Sequence, residues 1–309
     1  MALDQARTLW SLYWQQLGRA ASEDETTLGQ ERLQKTGLTE LVRWLRETPE
    51  GAQRARALTN AREFKADGWV LPYLFEPSPE ESSPPRLVVR FHGVTFGAAP
   101  PPDLGVHTPG AHRLAVGAGH RPPYGRTDLL SWRESASSLV QEICLEHGIA
   151  SDAVLYLGHS WAGTLAAMVI TRLGGGTGVL GAPASLLGTW YDRLQRMAVR
   201  GGPMAPLFEA IYKSSGLDGS DAAIAALDGL LPELVETCHG GSWLFCVSRT
   251  DNFWDDTERV LSVFPMSTDV QLHVLDYPRH DDLEGIFNGV AQRHADAWLR
   301  RPIPSGGEA

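Results

Sequence analysis

Cysteine is scarce in this 309-residue chain, which has only Cys144, Cys238 and Cys246. An odd number with no paired-ligand spacing points away from a disulfide framework and a structural zinc site, and fits reduced thiols in a cytoplasmic protein. Positive charge is also in deficit: Lys and Arg total 27 against 37 Asp and Glu, for a formal net charge of −10 and a pI near 5.5. A nucleic-acid binder needs clustered cations to neutralise phosphates, so the balance argues against that class. No apolar run is long enough to span a bilayer. Met1 to Gln16 carry Asp4 and other polar residues and lack both a basic leader and a continuous apolar core, so they do not read as a signal peptide.

The length suits one α/β domain with appendages. Leu9, Trp10, Tyr13, Trp14 and Leu17 recur at helical spacing, as do Leu38, Leu41, Val42 and Leu45, so residues 1–60 read as a helical extension. Its aromatic stripe is expected to pack on the main domain. The alternative is a surface for an oligomeric or other partner. The core, residues 61–184 and 242–300, alternates strand-like and helix-like text. Asp67-Gly68 is a hairpin signal between short strands, and strands are expected at Arg86–Phe91, His112–Val116, Ala153–Leu157, Thr177–Leu180, Trp243–Ser248 and Val270–Leu275. Helices are expected at Leu129–His147, Trp254–Val263 and Leu283–Leu299. That alternation predicts a mostly parallel sheet flanked by helices, with ligands bound beyond the carboxyl ends of the strands. Residues 185–241 break the pattern and read as a helical cap, and residues 301–309 as a frayed tail.

The chemistry centres on Gly158-His159-Ser160-Trp161-Ala162, where an apolar strand runs through a serine into a helix. A serine on so tight a turn needs small residues two positions to either side, and Gly158 and Ala162 supply them. The turn would lift the hydroxyl to a helix N-terminus, where free N–H groups favour a developing negative charge. Ser160 is therefore the candidate nucleophile, against the plainer reading of a helix cap.

A serine hydroxyl needs a base, and the base needs an orienting carboxylate. Asp251 follows the Trp243–Ser248 strand and His280 follows the Val270–Leu275 strand. Rival acids are Asp255, Asp256, Asp276, Asp281 and Asp282, of which Asp255 and Asp256 suit a helix start. Rival bases fit other roles: His273 falls in a strand, His294 in the last helix, and His159 beside the nucleophile.

With the order Ser160, Asp251, His280 after successive strands, residues 60 to 300 resemble the α/β-hydrolase superfamily. The resemblance implies Ser160 as nucleophile, His280 as general base and acid, and Asp251 as the carboxylate fixing the imidazole. His92-Gly93 resembles that family's oxyanion loop, implying the N–H of Val94 or Gly93 beside that of Trp161 as donors, with His92 shaping the loop. Two departures stand out. Ala162 replaces the commoner second glycine, and the oxyanion loop lacks the Gly-rich run of lipases and the Gly-Gly-Pro-Gly of proline iminopeptidases. Serine at the elbow also disfavours the aspartate chemistry of epoxide hydrolases and dehalogenases.

These readings predict a serine esterase or thioesterase acting on a small-molecule acyl substrate through an acyl-enzyme, without cofactor or metal. An acyltransferase or cyclase could use the same triad with an alcohol or amine acceptor, and a non-catalytic hydrolase-fold binding protein is the third reading. Trp190, Tyr191, Phe208 and Tyr212 of the cap are candidate lining for an acyl pocket, against packing within the cap itself. Arg126, Arg249 and Arg279 near strand ends are candidates to meet a carboxylate or phosphate, or to be solvated.

Overall fold

A computed structural model describes residues 9, 12, 13, 16, 17, 23–80, 84–91, 106, 108–117, 126–159, 161–181, 242–249, 254, 269–275 and 283–301. The cap at 185–241 and the tail at 302–309 lie outside them.

Among the described residues, Leu9, Leu12, Tyr13, Gln16 and Leu17 are helical, and α1 (Glu23–Glu47) and α2 (Pro49–Asn60) follow before the sheet. Gly37, at φ 81°, breaks α1. Leu38, just past the break, is 49% exposed, whereas Leu41 and Leu45 are buried, so the apolar stripe restarts only after the backbone regains helical register. Thr48 caps α2, its Oγ accepting from the Gly51 N–H at 3.0 Å, and Pro49 occupies the first turn, where its missing N–H costs nothing.

The described part of the upstream stripe packs within the extension. Leu9, Leu12, Tyr13 and Leu17 pack against Leu41 and Leu45, and among the described residues this cluster contains no residue of the sheet. Two amphipathic faces bury each other within the extension; Trp10 and Trp14 lie outside the described residues.

Among the described residues the sheet has eight strands: β1 (Arg62–Ala66), β2 (Trp69–Glu76), β3 (Leu87–Phe91), β4 (His112–Val116), β5 (Val154–His159), β6 (Thr177–Gly181), β7 (Ser242–Ser248) and β8 (Asp269–Leu275). Their order is β1-β2-β4-β3-β5-β6-β7-β8. β1 and β2 form a hairpin through Asp67 (φ 49°) and Gly68 (φ 79°), the two left-handed positions a type I′ turn requires. β2 pairs antiparallel with β4, and every pairing from β4 through β8 is parallel.

Helices α3 (Arg126–His147) and α4 (Trp161–Leu173) cover one face of the sheet, and α5 (Leu283–Arg300) covers the other. The strands divide their side chains accordingly. Val89, Phe91, Val154 and Tyr156 join Trp132, Leu165 and Met168 in one cluster, whereas Val88, Leu155 and Leu157 join Val290, Ala295 and Trp298 in the other. Burial on both faces is why β3 and β5 read as continuous apolar runs.

Polar contacts fix the helices. The Trp69 indole N–H donates to Ser131 Oγ at 3.0 Å, and Ser135 Oγ donates to the Ala66 carbonyl at 2.8 Å, tying α3 to the hairpin. Arg172 of α4 donates to Glu134 of α3 at 2.6 Å. Arg86, buried at the foot of β3, donates to the carbonyls of Trp298 and Arg301 and lies over the Trp298 ring, Cζ 5.0 Å from its centroid. A cation there satisfies the terminal carbonyls of α5 and meets the negative end of its dipole.

Candidate active site

β5 is buried from Val154 through Gly158 and ends at His159, and α4 starts at Trp161, so a single residue, Ser160, joins strand to helix. The approach is very close. A Cβ built on Gly158 would stand 2.2 Å from the Ala162 carbonyl oxygen and 2.7 Å from the Gly163 nitrogen, both of them backbone atoms that no rotamer change can move. Only glycine fits there. Ala162, by contrast, is 2% exposed and its methyl is part of the core cluster with Phe91 and Trp132, so the alanine found in place of a second glycine has a place to pack.

α4 is buried along nearly its whole length, from Ala162 to Thr171, with Arg172 leaving the core to reach Glu134. Such burial holds the helix start rigidly against the strand end. Its first N–H groups, Trp161's among them, have no partner within the helix and carry the positive end of the dipole. Ser160 and the Trp161 side chain lie outside the described residues.

β3 runs parallel beside β5, with Arg90 in register with Leu157. Its last residue, Phe91, stacks on Tyr156 at 6.5 Å and meets Trp132 edge-on at 5.9 Å. His92, Gly93 and Val94 follow directly and lie outside the described residues. So do Asp251, three residues after β7, and His280, five after β8, together with Asp255, Asp256, Asp276, Asp281, Asp282, Arg279 and the cap residues Trp190, Tyr191, Phe208 and Tyr212. What the sheet does fix is that β3, β5, β7 and β8 are parallel, so all four open at one edge.

His273 lies within β8, in register with Cys246, with its side chain exposed. His294 sits in α5, and His159 is the final residue of β5. Burial raises the Cys144 thiol to about 11. Burial likewise raises that of Cys246, to about 12, against an opposing pull from Arg293. Both are protonated at neutral pH, and neither is an activated nucleophile. Among the described residues no three His, Cys, Asp or Glu side chains are grouped to hold a metal ion, and no helix is long and apolar enough to cross a membrane.

One contact at this edge has no signal in the sequence. Arg249, the first residue past β7, places its guanidinium over the ring of Trp254, Cζ 5.2 Å from the centroid. The two side chains meet across four intervening residues, a spacing that no helical or strand period marks. Arg126 opens α3, and its side chain lies outside the described residues.

No protein-family model matches the sequence, and no curated protein is similar to it in sequence. In structure the chain is similar to Est1E from Butyrivibrio proteoclasticus, with a TM-score of 0.55 and 12% identity over 78% of this chain and 100% of that one. It is similar to the capsule O-acetyltransferase of Neisseria meningitidis serogroup A, with a TM-score of 0.55 and 14% identity over 78% and 99%. The acylaminoacyl peptidase of Pyrococcus horikoshii gives a TM-score of 0.54 and 13% identity over 80% of this chain and 42% of that one. Likeness at such identities speaks to fold. The eight-stranded, mostly parallel sheet with helices on both faces, and its likeness to these proteins, give this chain the α/β-hydrolase fold.

Proposed function

We propose that the protein is a serine hydrolase that forms an acyl-enzyme on Ser160 from an ester or thioester. The observation that carries the reading is the contact of Gly158 with the start of α4, which leaves a one-residue turn at Ser160 and no room for a side chain two positions before it. So close an approach of strand and helix backbones is what a nucleophile elbow requires and what an ordinary helix cap does not.

In this reading His280 takes the Ser160 proton as the hydroxyl attacks the acyl carbonyl, and returns it to the leaving group. Asp251 holds the imidazole in the productive tautomer. The N–H of Trp161, with that of Val94 or Gly93, receives the oxyanion; each such donor lowers the barrier by about 3 kcal/mol. Chain reach is compatible with this assembly. Neighbouring strands lie about 4.8 Å apart, so β7 is roughly 10 Å and β8 roughly 14 Å from β5. Three extended residues span about 10 Å and five about 17 Å, enough for Asp251 and His280 to approach the elbow from their strand ends. Trp190, Tyr191, Phe208 and Tyr212 are the proposed lining of the acyl pocket. Three cysteines without paired spacing support a cytoplasmic setting.

A fluorophosphonate probe and a panel of p-nitrophenyl esters and acyl thioesters test the proposal. Labelling confined to Ser160, and loss of turnover in His280→Ala with folding intact, are the expected results; a folded protein whose Ser160 does not label would refute it. Acyl transfer by the same triad is the second reading, favoured by the likeness to an O-acetyltransferase as strong as that to Est1E. Mass analysis of products with and without an alcohol or amine separates the two, since exclusive transfer with negligible water attack would reject hydrolysis.

A further inference from the structure

We propose that β8 is the surface through which two copies of this chain associate, the two β8 strands pairing antiparallel about a twofold axis at Leu272. The inference goes beyond the acyl-enzyme reading and does not depend on it. Among the described residues the two ends of the sheet are finished differently. β1, at one end, exposes Arg62, Glu63 and Lys65, with Lys65 and Glu63 paired at 3.6 Å. Charges along so short an edge oppose the docking of another strand. β8, at the other end, is seven residues long, pairs among the described residues with β7 alone, and contains no Lys, Arg or Pro. Gln271, Leu272 and His273 are exposed in succession, Leu272 by 42%. Successive side chains of a strand point to opposite faces, so both faces of β8 reach solvent there. A long edge of that kind is a template for a further strand, and it lacks the devices that prevent pairing.

The order of residues in β8 selects a second copy as the occupant. A closed dimer is twofold, and a twofold axis between two sheet edges sets their strands antiparallel. With the axis at Leu272, the middle residue of β8, the whole strand is paired: Leu272 stands opposite its own copy and Gln271 opposite the second copy's His273. The first pair is apolar on apolar, and the second sets an amide beside an imidazole, a donor with an acceptor. Asp269, the one carboxylate of the strand, falls opposite Leu275 instead of opposite itself, so no like charges meet. A register one residue away sets Leu272 opposite Gln271 or His273 and loses both matches. β8 runs parallel to β5, β6 and β7, so antiparallel pairing turns the opening edges of the two copies to opposite sides, and neither faces the other.

The test is sedimentation velocity of the full chain from roughly 1 to 100 μM, a range that covers weak and ordinary association. The expected species has twice the 33.7 kDa of one chain. Leu272→Lys and Leu272→Glu each set like charges opposite one another at the axis and should each raise the Kd roughly tenfold or more. An equimolar mixture of the two sets opposite charges there and should bring the Kd back to within about threefold of the wild type, which an interface elsewhere on the chain does not do. Cooperative melting at the wild-type Tm controls for folding. Should either charged variant fail that control, Leu272→Cys decides instead: residues opposite each other in an antiparallel pair lie within reach of a disulfide, so oxidation should give a two-chain band on a non-reducing gel that oxidised wild type and Gln271→Cys do not give. A wild type that is monomeric throughout, an assembly larger than two chains, association that survives Leu272→Lys, or a mixture no tighter than its components would overturn the proposal, as would absence of the band where the cysteine variant decides. None of these measurements involves Ser160, so their failure leaves the acyl-enzyme reading standing.

Discussion

Replacing Gly158 with alanine adds one methyl group at the point where strand and helix backbones come closest. The new carbon would stand 2.2 Å from the Ala162 carbonyl oxygen and 2.5 Å from its carbon. Carbon and oxygen ordinarily approach no nearer than about 3.3 Å, so β5 and α4 must separate by about 1.1 Å. Neither yields easily. β5 is hydrogen-bonded on both sides, to β3 and β6, and α4 is buried along most of its length. Overpacking of this kind costs about 1–3 kcal/mol of stability, or several degrees in Tm. A displacement of about 1 Å at a catalytic turn costs about a hundredfold in rate, near 2.7 kcal/mol of barrier. Thermal melting followed by circular dichroism, beside the rate of fluorophosphonate labelling, reads both effects. Gly110→Ala is the control, because a Cβ there meets nothing within 4 Å. A Gly158→Ala protein that melts and labels like the wild type would refute the elbow geometry and the function argued from it.

Three further predictions concern stability. Gly289 lies exposed within α5, where among the described residues an added Cβ reaches only Arg293 at 3.9 Å, so Gly289→Ala should raise stability by about 0.5–1 kcal/mol in urea melts. Thr48→Ala removes the acceptor of the Gly51 N–H and should cost about 1 kcal/mol by the same measurement, with no change in labelling of Ser160. His112, stacked with Phe75, tilted against the His147 ring and accepting at Nδ1 from the Ser78 N–H, titrates below the ordinary histidine range, chiefly through burial and further through the charge of His147. The unfolded chain then binds more protons than the folded one, so stability is full above about pH 6.5 and falls as pH drops from there toward the folded value. Tm measured from pH 8 to pH 5 should show that loss, and His112→Gln should flatten it; an unchanged slope would remove His112 as its source.

Much of the fold was legible in residue order. Asp67-Gly68 announced the β1–β2 hairpin because a type I′ turn demands two left-handed residues, and Asp67 and Gly68 adopt them. The apolar runs at β3, β5, β6 and β7 were read correctly because strands covered on both faces leave no polar alternation to mistake for a helix. In the extension, spacing identifies the apolar face of Leu9, Tyr13 and Leu17, but which surface covers a face depends on distant residues, here Leu41 and Leu45. The register of Leu38 was likewise hidden, since the break at Gly37 is a backbone conformation that glycine permits but does not require.

The sequence by itself determined that β5 runs into α4 with one residue between them, because the demand for glycine at position 158 is local and sterically severe. It also determined the alternation of strand and helix and the placement of Asp251 and His280 after their strands. Only the tertiary structure decided the strand order, which rests on pairings between residues far apart in the chain, and with it the opening of β3, β5, β7 and β8 at one edge. It alone revealed that the methyl of Ala162 is accommodated by the core, and that Arg249 lies over Trp254. Residue periodicity encodes which side of an element is apolar; what that side meets is settled by the packing of the whole chain.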